Sequence, residues 1–206
     1  MSPHPAHCRA CKPAVAALLT AAFGPMREQY TLGLPATLAG YRGDTSYISL
    51  AAIWATLAAY RGHGAFVRTG MLPACDFVVP TARLVVEFDE QQHFTEPRRR
   101  ALAAYPATLP LGFDRARWIA LSATIQAQDP EPPDRDEQRA CNDTLRDFSS
   151  LRTGFHPTIR LYAGEAVWCA HSAAVPADLA WFRALIMARL AGLSQAGESS
   201  PSAPTG

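Results

Sequence analysis

Apolar residues recur at helical spacing near the start of the chain. Val15, Leu18, Leu19, Ala22 and Phe23 fall on one face, with Pro13 in the first turn and Gly24 after the last. A second helix is predicted from Asp44 or Thr45, where Leu50, Ile53, Trp54, Leu57 and Ala58 repeat at the same period until Gly62 and Gly64 stop it. The stretch 33–43 between them, with its glycines and proline, reads as loop. The pattern then changes to short β-branched and aromatic runs, 75–80 and 83–89, separated by a turn-sized gap, which predicts a hairpin. Beyond it the spacing predicts a short helix over 96–105, a buried strand over 118–121 and a proline-rich acidic loop over 126–133. Asp134 with Glu137 three positions later has the form of a capping box, opening a helix that runs to Phe148. A strand over 158–162 and a helix over 176–190 follow, the latter with Leu179, Phe182, Ile186 and Leu190 facing inward.

This order predicts a mixed α/β (α+β) fold, a small sheet with helices on both sides, in a single domain over 1–193 with a disordered Ser/Gly/Pro-rich tail over 194–206. With 206 residues, 49% hydrophobic, the chain can bury a core of useful size. The formal charge of +1 gives no global footprint of a polyanionic partner, though a local basic stripe is compatible with it. Of the basic residues only Lys12 is a lysine; arginine supplies the rest. Five unevenly spaced cysteines do not make a secreted disulfide framework, so a reducing, cytoplasmic setting is expected. No apolar run is long enough to span a membrane. Residues 14–23 after Arg9 and Lys12 imitate a signal peptide, but without a small-x-small cleavage pattern.

Candidate chemistry concentrates in the hairpin. With the turn centred between Thr81 and Ala82, antiparallel partners have numbers that sum to 163, which sets Asp76 opposite Glu87. Alternation puts Asp76, Val78, Val85, Glu87 and Asp89 on one face, and Phe77, Val79, Leu84, Val86 and Phe88 on the other. Opposed carboxylates repel, so they need protons, basic neighbours or a cation. Hard oxygen ligands suit magnesium or manganese, and His93, four residues after Asp89, is a candidate for proton transfer. The competing expectation is a strand end neutralised by arginines such as Arg98, Arg99 and Arg100.

The sequence 76–80 (Asp-Phe-Val-Val-Pro), then 84–89 (Leu-Val-Val-Glu-Phe-Asp), then 91–94 (Gln-Gln-His-Phe) resembles the core of the PD-(D/E)xK, restriction endonuclease-like nuclease superfamily, in the branch similar to very-short-patch repair endonucleases. The upstream helix 50–60, a strand-like 66–68, the Arg135-Asp136-Glu-Gln-Arg139 helix start and the strand 158–162 extend the resemblance over about residues 46–163. It implies a magnesium-dependent endonuclease hydrolysing DNA phosphodiesters. Asp76 and Glu87 would hold the metal with the Phe88 carbonyl, Asp89 would orient water or a second ion, and His93 would assist proton transfer. A module of the same fold that binds nucleic acid or a protein without catalysis is the alternative. Two positions depart from the pattern. Asp89 stands where the superfamily has its lysine, so His93 or an arginine would have to supply positive charge, and Glu90 stands where the nearest branch has glycine.

Candidate phosphate contacts are Arg98, Arg99 and Arg100 beside the site, and Arg135, Arg139 and Arg146, which with Asn142 form one line along a helix. Asp136, Asp143 and Asp147 form a neighbouring line, so the helix reads equally well as neutralising its own surface. His4, His7, Cys8 and Cys11 crowd the N-terminus, where the Cys-x-x-Cys pair supplies half of a structural zinc site; the missing ligands would have to come from Cys169 and His171, and a reduced terminus without zinc is the preferred expectation. Cys75 and Cys141 read as core residues.

Overall fold

The computed structural model describes residues 8–129 and 131–195. It is a mixed α/β structure built on one four-stranded sheet in the order β1, β2, β3, β4. These strands are Arg27–Tyr30, Cys75–Val79, Leu84–Asp89 and Ile159–Tyr162. The first three are antiparallel in sequence and β4 runs parallel to β3. Among the described residues the helices are α1 (Cys11–Phe23), α2 (Tyr47–Arg61), α3 (Glu96–Ala103), α4 (Arg115–Ile125), α5 (Arg135–Asp147), α6 (Ser150–Thr153) and α7 (Pro176–Gln195). The expected small mixed sheet flanked by helices is the architecture found.

The β2–β3 register, Phe77 with Val86 and Val78 with Val85, is the one the turn position predicts. One sheet face, carrying Phe77, Val79, Leu84, Val86, Phe88, Ile159 and Leu161, packs against Val15, Leu18 and Leu19 of α1 and Phe182 and Ile186 of α7. On the other side lies a second apolar cluster, with Leu50, Ile53 and Leu57 of α2, Leu102 of α3, Trp118 of α4 and Leu145 of α5. Full burial of a Leu, Ile or Phe side chain contributes about 1.5–3 kcal/mol, so each helix is held by its inward stripe rather than by helix propensity.

Three local expectations fail, each for an identifiable reason. Residues 118–121 lie within α4, not in a strand: Asp114 accepts the Arg117 N–H at 3.1 Å as the helix cap, and Trp118 and Ser122, one turn apart, form its buried line. A four-residue apolar run carries no period that separates the two conformations. Residues 66–68 form no strand; Phe66 packs on Trp54 at 4.9 Å and Arg68 extends to Asp134. The capping box is also absent. Asp134 makes no cap bond because it pairs with Arg68, and Glu137 binds Nε of Arg61 at 2.8 Å.

The unanticipated strand is β1, whose Arg27, Glu28 and Gln29 are exposed and lack alternation; charge on an edge strand discourages further pairing. Gly112 is required by close approach, since a Cβ there would stand 2.7 Å from the Thr158 carbonyl oxygen at the entry to β4. The tail expected from Ser194 begins inside α7, and its remainder lies outside the described residues. No helix among the described residues is long and apolar enough to cross a membrane.

Candidate metal and phosphate site

At one end of the hairpin Asp76 and Glu87 interlock through the backbone. Oδ2 of Asp76 accepts the Phe88 N–H at 2.9 Å, and Oε1 of Glu87 accepts the Asp76 N–H at 3.3 Å. The side chains are thereby fixed beside one another, as the register requires. Glu87 is 3% exposed. Burial pushes its carboxyl up to about 7, an effect that Arg146 only partly offsets.

Each carboxylate has a cation. The Lys12 ammonium, reaching over from the start of α1, donates to Oδ1 of Asp76 at 2.8 Å. Nε of Arg146 lies 3.2 Å from Oε1 of Glu87, and this buried nitrogen has no hydrogen-bond acceptor. The arginine's other nitrogens are anchored: Nη2 donates to the Ala74 carbonyl at 3.0 Å and Nη1 lies 3.4 Å from Oδ1 of Asp143. The neutralising groups are therefore Lys12, 64 residues upstream of Asp76, and Arg146, not Arg98, Arg99 or Arg100.

Asp89 departs from its expected role. Its Oδ1 accepts Nη1 of Arg160 and its Oδ2 accepts the Trp118 indole N–H, both at 2.7 Å, and the residue is 1% exposed. With both oxygens held and the side chain closed off from solvent, it anchors α4 and β4 to the sheet. Arg160, which lies opposite Glu87 in β4, is the hub of this network; it also donates to Asp147 at 2.7 Å and to the Asp143 carbonyl at 3.0 Å. His93 sits 3.0 Å from Asp143 and 3.7 Å from Asp89. Burial opposes its charged form, but Asp143 prevails and the imidazole is held above its ordinary value. Correspondingly, Asp143 is held well below the usual carboxylate range by His93 and Arg160 despite its burial.

The expected arginine line is dispersed. Arg98 is enclosed, donating to Asp147 and to the Tyr105 hydroxyl at 2.7 Å each, so it cannot grip an external phosphate. Arg146 is buried in the acidic site itself. Arg99 and Arg100 both bind Glu96, at 2.6 and 2.7 Å, and remain partly exposed. Arg139 binds Asp129 at 2.8 Å and the Gln92 carbonyl at 3.0 Å, while Arg135 pairs with Asp129 at 3.1 Å. The neighbouring Asp136, Asp143 and Asp147 are buried and do not solvate a surface. They hold Arg61, His93, Arg98 and Arg160 in place.

Among the described residues, the one grouping of three or more metal-ligating side chains close enough for a single ion is Cys8, Cys11 and Cys169. At the acidic site an ion would rest on Asp76 and Glu87 alone, with backbone and water completing its shell. That donor set fits magnesium, which commonly keeps several waters and binds through one or two carboxylates. His171 is not part of the cysteine group; its Nδ1 is 3.1 Å from Asp178 and its ring stacks on Trp181. His4 and His7 lie outside the described residues. Cys75 and Cys141 are buried as expected. Comparison with family models, curated proteins and solved structures finds no match.

Proposed function

We propose that the chain is a metal-dependent endonuclease hydrolysing phosphodiester bonds in DNA, with Asp76, Glu87 and Lys12 as the reacting site. The observation that carries this reading is the ammonium of the only lysine, 2.8 Å from the acid opposite Glu87. A hairpin whose motif lacks a cation is thus supplied with one from another element. The resemblance of 76–94 to the PD-(D/E)xK core gives the reading its chemistry.

A divalent ion held by Asp76 and Glu87, with the Phe88 carbonyl, would polarise the scissile phosphate and acidify an attacking water. Lys12 meets the negative charge that gathers on the phosphoryl oxygens as water adds to phosphorus and the ester oxygen leaves. Arg146, paired with Glu87 at 3.2 Å, balances the charge of the other carboxylate. His93, whose charged form Asp143 favours, is the proton donor nearest in sequence to the hairpin. Of the candidate arginines, Arg99, Arg100, Arg135 and Arg139 keep some exposure with which to contact the backbone of the nucleic acid. Asp89 and Arg98 hold this machinery from behind.

One observation favours the second reading, a non-catalytic module that binds nucleic acid or a protein: Asp76 and Glu87 already have cationic partners, so the hairpin is neutralised without a metal. Cleavage assays in magnesium, manganese or chelator, with Glu87→Ala alongside, separate the two.

A further inference from the structure

The start of α1 and the turn before α7 meet at three thiols. Cys8 precedes the helix, Cys11 opens it, and Cys169 lies in the short helical turn Trp168–Ala170. Their sulfur atoms all lie within 4.8 Å of one another, and those of Cys8 and Cys169 are 3.7 Å apart. A tetrahedral zinc ion with Zn–S bonds of about 2.3 Å sets its sulfurs about 3.8 Å apart along each edge.

The scaffold fixes all three before any ion arrives. The Cys11 N–H donates to the Cys8 carbonyl at 3.1 Å, closing the Cys-x-x-Cys turn. Trp168, fully buried, donates its indole N–H to the Tyr162 carbonyl at 3.0 Å and meets Phe88 edge-on at 5.9 Å, which anchors its neighbour Cys169 to the sheet. Soft thiolates select zinc over hard ions such as magnesium.

We propose that Cys8, Cys11 and Cys169 hold a structural zinc ion, with a fourth donor that is not sulfur, and that this ion sets the start of α1 from which Lys12 reaches Asp76. The zinc site stands on the three sulfurs alone; only its consequence for Lys12 rests on the proposed nuclease reading. On binding, zinc displaces the three thiol protons to solvent, with no change of oxidation state. The ion would tie residues 161 positions apart, joining the terminal helices across the sheet face that they cover.

The test is metal analysis of the full-length protein purified under reducing conditions, followed by replacement with cobalt, whose thiolate charge-transfer and ligand-field bands report sulfur ligation and tetrahedral geometry. The expected result is one zinc per chain, with cobalt spectra of a tetrahedral site and X-ray absorption showing three sulfurs and one lighter donor. Cys8→Ser and Cys169→Ser lower zinc affinity by at least about tenfold, whereas Cys141→Ala, outside the group, retains the full complement. A folded wild-type chain that takes up no stoichiometric zinc, or one in which Cys8 and Cys169 are joined as a disulfide under the same reducing conditions, overturns the proposal. Neither readout depends on cleavage. A zinc-loaded protein that cuts no DNA would refute the nuclease reading and leave the zinc site standing.

Discussion

Lys12 and Asp76, 64 positions apart, are joined by a 2.8 Å hydrogen bond between ammonium and carboxylate. The contact brings the terminal helix α1 to the acidic end of the hairpin and completes a grouping that neither segment contains. Lys12 is 40% exposed in its side chain, so it is cheap to replace structurally. Lys12→Met is expected to fold normally, by circular dichroism and urea denaturation, and to lower the rate of DNA cleavage by about a hundredfold, the usual effect of removing one charge-stabilising donor. Lys12→Arg should recover part of that loss.

Arg160 carries the opposite kind of role. It is fully buried and binds Asp89 and Asp147 at 2.7 Å each. Arg160→Met leaves both carboxylates buried without their shared cation, and the expected destabilisation is about 3–5 kcal/mol in equilibrium urea unfolding. A variant as stable as wild type would remove Arg160 from the centre of the network.

The pH dependence of stability should carry the signature of His93. Its folded value is raised above the ordinary 6.5 because Asp143 outweighs burial. The folded state therefore binds the proton more tightly than the unfolded chain. The resulting stabilisation is complete below about 6.5 and is lost as pH rises through the folded value. His93→Gln is expected to flatten the decline in unfolding free energy between neutral and mildly alkaline pH; an unchanged slope would contradict the His93–Asp143 pairing.

Gly112 makes a steric prediction independent of charge. A methyl group there meets the Thr158 carbonyl at 2.7 Å and the Ile159 Cα at 3.0 Å, all backbone, so β4 must shift. Gly112→Ala should cost about 1–3 kcal/mol by thermal unfolding, although alanine is otherwise the gentlest of replacements.

These features were unequally legible in the sequence. The turn between Thr81 and Ala82 fixes the hairpin register, and with it the pairing of Asp76 and Glu87, because side chains in a strand alternate strictly. The apolar stripes of α1, α2 and α7 were equally plain. The strand β1 was invisible because its exposed edge residues need no alternation, and α4 was obscured because Trp118 through Leu121 is a run with no period. Ion pairing was the least accessible level. Asp89 shares a face with Glu87, yet contacts with Arg160 and Trp118, remote in sequence, decide that it supports the fold. The clue to Lys12 was its singularity in an arginine-rich chain, which marks a residue but not its partner. Likewise Cys-x-x-Cys marked half a site, and only the folded chain brings Cys169 to it.

Whether Asp76, Glu87 and Lys12 form one hydrolytic site is decided by nicking of supercoiled plasmid. Wild type, Glu87→Gln and Lys12→Met are compared in magnesium, manganese and chelator, each first shown to be folded. Wild type is expected to nick in either metal and not in chelator, with a fall of about a hundredfold or more in both variants. A folded wild type that leaves the plasmid intact in both metals, or a Glu87→Gln protein that nicks as fast as wild type, would contradict it.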